Sequence, residues 1–155
     1  MNDLGPPSTP VLPHSVAWLG YGGLLPFVGL ALALLADPGH GLLWQQALLA
    51  YGAVILSFVG ALHWAFAMLL PGLTPAQAQG RYVWSVVPAL LAWPAVLLPP
   101  GAAVPLLVAG FVAHYLQDRA LAARAALPGW YLPLRLRLTS VASLALLAAL
   151  LAPSR

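Results

Sequence analysis

Leu42–Leu70 reads LLWQQALLAYGAVILSFVGALHWAFAMLL, with no Asp, Glu, Lys or Arg in it. A hydrocarbon core about 30 Å thick needs roughly 20 apolar residues in a helix. At about 1.5 Å per residue this run is longer than that, so it predicts a spanning helix that tilts or begins in the interface at Trp44, Gln45 and Gln46. Its second half, Tyr51 to Trp64, decides more. At 100° per residue Gly52, Val59, Gly60, His63 and Ala67 share one face, while Ala53, Ser57, Ala61 and Ala65 recur every four residues on another. Small residues on two faces let neighbouring helices approach on both, which predicts a central helix with His63 turned into protein.

The rest of the chain agrees with lipid as its solvent. Of 155 residues, 62% are hydrophobic and 6% charged, against roughly 25% charged in a soluble domain. Every cation is arginine and every anion aspartate, and there is no cysteine, which excludes disulfides, iron–sulfur clusters and thiolate metal sites. Met1–Pro13 holds four prolines and no basic residue; it reads as part of a disordered tail over residues 1–15, not a cleaved signal peptide. A single transmembrane helical domain is expected over 16–152.

Outward from the deciding stretch, Val16–Ala36 fits a first span, with Pro26 as a kink and Gly20, Gly22 and Gly23 as a close-contact patch. Asp37-Pro38-Gly39-His40-Gly41 supplies a tight turn and Pro71–Pro75 a second break. Residues 82–117 carry no formal charge and are divided by Pro99-Pro100-Gly101, which reads as a helical hairpin, Tyr82–Leu98 and Ala102–Gln117, its first arm bent by Pro88 and Pro94. A last span covers about Leu134–Ala152. The expected fold is all-α, a polytopic bundle of about five transmembrane helices. Arg81, Arg119, Arg124, Arg135 and Arg137 fall on one face of the membrane and Arg155 on the other. By the positive-inside rule the N-terminus is cytoplasmic and the C-terminus outside.

Ionisable groups inside a bilayer default to a functional hypothesis. His63, Arg81, His114, Asp118, Arg135 and Arg137 all lie in the cytoplasmic half of this topology and form the candidate polar centre. His114 and Asp118 are four residues apart, within reach on one helical face. Plainer readings stand beside this one: a hydrogen bond from His63 to a carbonyl, Ser or Tyr, an Asp118–arginine pair at the membrane surface, and Trp and Tyr as interface anchors. Trp93 sits deeper and is expected to pack. HExxH, GxSxG and phosphate-binding glycine loops are absent from the sequence, and Ser57 lies on a different face from His63. No catalytic residue, metal ligand, cofactor or nucleic-acid partner is assigned.

Several stretches are similar to the transmembrane protein 69-like family of proteobacteria and mitochondria: Leu19–Phe27, Tyr51–Trp64, Ser85–Pro88, Tyr115–Asp118 and Trp130–Thr139. Ala65 stands where that pattern has glycine. The resemblance implies a helical inner-membrane protein without an assigned activity, and His63, Asp118 and Arg135 as its polar centre. Together with the Leu/Ala/Arg/Pro-rich composition it places the chain in a bacterial inner membrane. The expected role is non-catalytic: a lipid- or hydrophobe-binding protein, or a small accessory subunit of a larger membrane complex. The alternative is a small carrier, a proton-coupled transporter, or a bis-histidine haem protein using His63 and His114.

Overall fold

The computed structural model describes residues 11–151. The tail expected over residues 1–15 falls largely outside the described residues, as does Arg155; helix begins at His14, ahead of the expected boundary.

Among the described residues six helices follow one another: α1 (His14–Gly22), α2 (Leu25–Ala36), α3 (Gly41–Leu69), α4 (Pro75–Ala95), α5 (Pro100–Ala122) and α6 (Tyr131–Ala148), with a 3₁₀ turn at Pro38–His40. No strand occurs among the described residues. Among the described residues four segments are long and apolar enough to cross a membrane: His14–Ala36, Pro38–Leu69, Pro100–Ala122 and Tyr131–Ala148. The chain is an all-α multi-pass membrane protein. α4 has the length, but Gln77, Gln79 and Arg81 make its first half too polar to be counted with them; it lies along α3 through the most extensive helix–helix interface in the fold.

Local chemistry moves several boundaries. Pro26 does not kink a continuous first helix. The chain breaks at Gly23–Leu24, and Pro26 occupies the first turn of α2, where its missing N–H leaves nothing unpaired. Of the three nearby glycines only Gly20 has a Cβ direction facing another helix, with Leu138 3.5 Å away, while Gly23 meets α3 through its carbonyl, which accepts from Tyr51 Oη at 2.9 Å, so the three form no shared close-contact patch. α4 starts at Pro75, not Tyr82, because Thr74 and Gln77 form a reciprocal capping box. α5 runs on to Ala122, so Asp118 and Arg119 belong to the helix and not to a surface loop.

α3 packs against α2, α4, α5 and α6. Three tight contacts centre on it. A Cβ on Gly60 would fall 2.9 Å from the Pro88 ring of α4, one on Gly52 3.0 Å from Leu146 of α6, and one on Gly110 of α5 2.6 Å from Leu56. Only one of the two small-residue faces is used in this way. Ala61 and Ala65 are exposed, so the lower half of the second face is turned outward. Trp93, expected to pack, is 69% exposed.

Candidate functional site

Asp118 is the organising group. It sits one turn before the end of α5 and has no exposed surface. A carboxylate there must be paired or leave an uncompensated buried charge. Arg135, one turn into α6, donates from Nε to Asp118 Oδ2 at 2.8 Å. Tyr131, four residues earlier on the same α6 face, donates to Oδ1 at 3.0 Å. His63 Nε2, from α3, reaches that same Oδ1 at 3.1 Å. Three helices are tied through one side chain, one to two turns inside the end of the bundle.

His114 has a different partner. Trp84 Nε1 lies 3.2 Å from His114 Nδ1, and an indole N–H can only donate. His114 Nδ1 is therefore an acceptor and the ring proton sits on Nε2, which faces Asp118 Oδ1 at 3.8 Å, beyond hydrogen-bond length. The two imidazoles meet edge to face with centroids 4.9 Å apart.

Of the six residues in the expected centre, four are brought together: His63, His114, Asp118 and Arg135. Arg81 is buried beside it, donating to the Gln117 carbonyl at 3.2 Å and the Gln117 side chain at 3.0 Å. It braces α4 against α5 without touching Asp118. Arg137 is not in the centre. Two residues from Arg135 on a helix, it points the opposite way and donates to Tyr21 Oη at 3.1 Å, holding α1 to α6. The surface pair expected for Asp118 is instead a buried one. Tyr131 and Trp84 complete the centre and carried no motif that marked them.

His63, His114 and Asp118 each place one ligand atom within 4.8 Å of the others, and the donor set invites a test for a metal. A metal-bound histidine keeps its other nitrogen as an N–H donor. Here the Trp84 N–H is directed at His114 Nδ1, which puts the proton on the nitrogen a metal would take. The carboxylate is already filled by Arg135, Tyr131 and His63. The centre does not fit a metal. Nor does the contact between the imidazoles leave a slot for the haem entertained from the sequence.

Beside the centre, between α1, α3 and α6, lies a cavity of about 510 Å³, within the range of small-molecule sites. Its walls include Phe27, Val59, Phe111 and Leu138, and Tyr131, Arg135 and Thr139, on successive turns of α6, are polar residues of its lining. Leu19 and Phe58 line it while staying exposed, which puts its mouth on the lipid-facing surface between α1 and α3. Two of these lining residues each hold a fully buried polar atom with no protein partner, Arg135 Nη2 and Thr139 Oγ1. An unsatisfied buried donor or acceptor costs about 1–3 kcal/mol.

An all-helical membrane bundle with one buried carboxylate centre and an adjoining apolar cavity defines the class. Residues 12–151 match the family described as "Protein of unknown function (DUF3429)", and the chain belongs to that family. It is also 35% identical over 144 residues to transmembrane protein 69 of Xenopus tropicalis, a match covering 90% of this chain and 54% of that protein. The chain thus spans about half the length of the relative it matches. No solved structure matches it.

Proposed function

We propose that the protein is a non-catalytic binder of a lipid-like molecule in a bacterial inner membrane, holding an apolar chain in the cavity between α1, α3 and α6 with the polar head at Arg135 and Thr139. The observation that carries this reading is that two residues lining a largely apolar cavity, Arg135 and Thr139, each hold a buried polar atom with no protein partner. A head group bearing an acceptor would satisfy Arg135 Nη2 and pair with the Thr139 hydroxyl, relieving two desolvated groups at once. A non-catalytic role is supported by the state of the polar groups. Asp118 is committed to three donors, and Ser57, the hydroxyl nearest His63 in sequence on α3, is bonded to its own helix at Ala53 O, 2.8 Å away.

Native mass spectrometry of protein purified in mild detergent tests the reading. The wild type is expected to retain a lipid-like molecule. Gly20→Leu, whose Cβ would project toward Leu138 at the cavity wall, and Thr139→Val are expected to lose it while remaining helical by circular dichroism. A wild type that carries nothing, or variants that retain the same molecule undiminished, would overturn the reading.

A further inference from the structure

Resting on that binding reading, charge accounting narrows the chemistry of the head group. Arg135 is the one charged side chain in the cavity lining among the described residues. Its charge is already matched, since Asp118 Oδ2 takes its Nε at 2.8 Å with both side chains buried. Among the described residues no second arginine lines the cavity: Arg81 is engaged with Gln117 and Arg137 with Tyr21, and neither they nor Arg119 and Arg124 belong to its lining. His63 spends Nε2 on the same carboxylate, and His114 takes the Trp84 N–H; neither ring lines the cavity. The cavity is therefore bordered by a neutral ion pair whose Arg135 Nη2, like the Thr139 hydroxyl, has no protein partner. An anionic head would leave a net negative charge in a low-dielectric interior, where charges interact far more strongly than in water. A neutral acceptor meets the free donors without that penalty.

We infer that the bound molecule presents an uncharged carbonyl, of the quinone or ester type, to Arg135 and Thr139, and that Asp118 sets this selectivity by neutralising Arg135. Asp118 thus acts on the ligand through another residue.

Three probes test this in lipid nanodiscs: methyl hexadecanoate, hexadecanoate and a decyl-substituted benzoquinone. Binding is read by competition at about pH 9, where the carboxylic acid is ionised even at a membrane surface. The wild type is expected to bind a neutral carbonyl probe at least about tenfold more tightly than hexadecanoate. Ester-only or quinone-only binding supports the inference and says which source supplies the carbonyl. Asp118→Asn leaves the Arg135 charge unmatched and is expected to reverse the order, with hexadecanoate gaining about tenfold. Thr139→Val, which changes no charge, is expected to weaken the neutral probes several-fold, so wild type and Thr139→Val decide the matter even if Asp118→Asn fails to fold. Tighter binding of hexadecanoate by the wild type, or an order unchanged in folded Asp118→Asn, would overturn the inference while leaving the cavity as a binding site. If no probe binds the wild type, and Gly20→Leu behaves identically, the binding reading itself fails.

Discussion

Asp118 and Arg135 meet at 2.8 Å, Oδ2 to Nε, with the carboxylate fully buried and Arg135 6% exposed. The pair joins α5 to α6 beneath the loop that connects them, and His63 ties α3 to the same carboxylate. Removing one member of such a pair leaves an uncompensated charge where water cannot reach, at a cost of about 3–5 kcal/mol. Asp118→Ala and Arg135→Ala are each expected to lower the unfolding temperature in detergent sharply. The double variant Asp118→Leu/Arg135→Met should recover much of the loss, because an apolar replacement of the whole pair is often close to neutral. A double variant no better than the sum of its singles would contradict this account of the pair.

The contact between Gly60 and Pro88 gives a sharper packing test. An added methyl at Gly60 meets a proline ring at 2.9 Å and the Ser85 carbonyl at 3.1 Å, neither of which can swing aside. Gly60→Ala is expected to destabilise by about 1–3 kcal/mol. Gly20→Ala meets only Leu side chains at 3.5 Å or more and gains helix propensity, so it should be neutral to stabilising, by up to about 1 kcal/mol. Equal effects at the two sites in thermal unfolding would refute the assignment of Gly60 to the tight α3–α4 interface.

Membrane orientation rests on arginine asymmetry. Arg81, Arg119, Arg124, Arg135 and Arg137 belong to the end of the bundle where α3 and α5 finish and α4 and α6 begin, and basic ends face the cytoplasm. Because the chain has no cysteine, single substitutions report cleanly. Gly39→Cys in the exposed turn after α2 should react with a membrane-impermeant maleimide from outside the cell. Arg124→Cys should react only after the membrane is opened. The reverse pattern would invert the topology.

At the opposite end, the Asp37 carboxyl accepts from His40 Nδ1 at 2.9 Å and Trp44 Nε1 at 3.2 Å. The His40 hydrogen bond first, and the Trp44 bond after it, hold this carboxyl below the ordinary aspartate range. A depressed folded value means the turn is supported above the ordinary carboxylate range and loses that support as pH falls through the lowered value. Trp44 emission is therefore expected to change in that acidic window, and Asp37→Asn should abolish the change. A transition that persists in Asp37→Asn would assign it to another group.

The spanning runs were legible because lipid imposes a minimum apolar length, and Leu42–Leu70 maps almost residue for residue onto α3. His63 was legible as inward-facing from the glycines on its face. Other features were not. The reciprocal cap of Thr74 and Gln77 is a short polar signature hidden between two prolines, and missing it left Arg81 in a loop. Trp84 and Tyr131 looked like members of an interfacial belt, since an aromatic ring with one polar atom reads the same whether that atom meets water or a buried carboxylate. Arg137 could not be separated from Arg135 before the register of α6 was known, yet the two point in opposite directions. The position of the cavity between α1, α3 and α6 had no sequence signal, because its wall is mostly ordinary Leu, Val and Phe.

On the proposed reading, the cavity beside Asp118 holds a lipid-like molecule by its head. The most direct measurement is an experimental structure of the wild type in a lipid nanodisc at a resolution that shows side chains. Elongated density is expected between α1, α3 and α6, ending within hydrogen-bond distance of Arg135 Nη2 and Thr139 Oγ1, with Asp118 still bonded to Arg135 Nε. A cavity closed by its own side chains, with Arg135 Nη2 satisfied by protein, would contradict the reading.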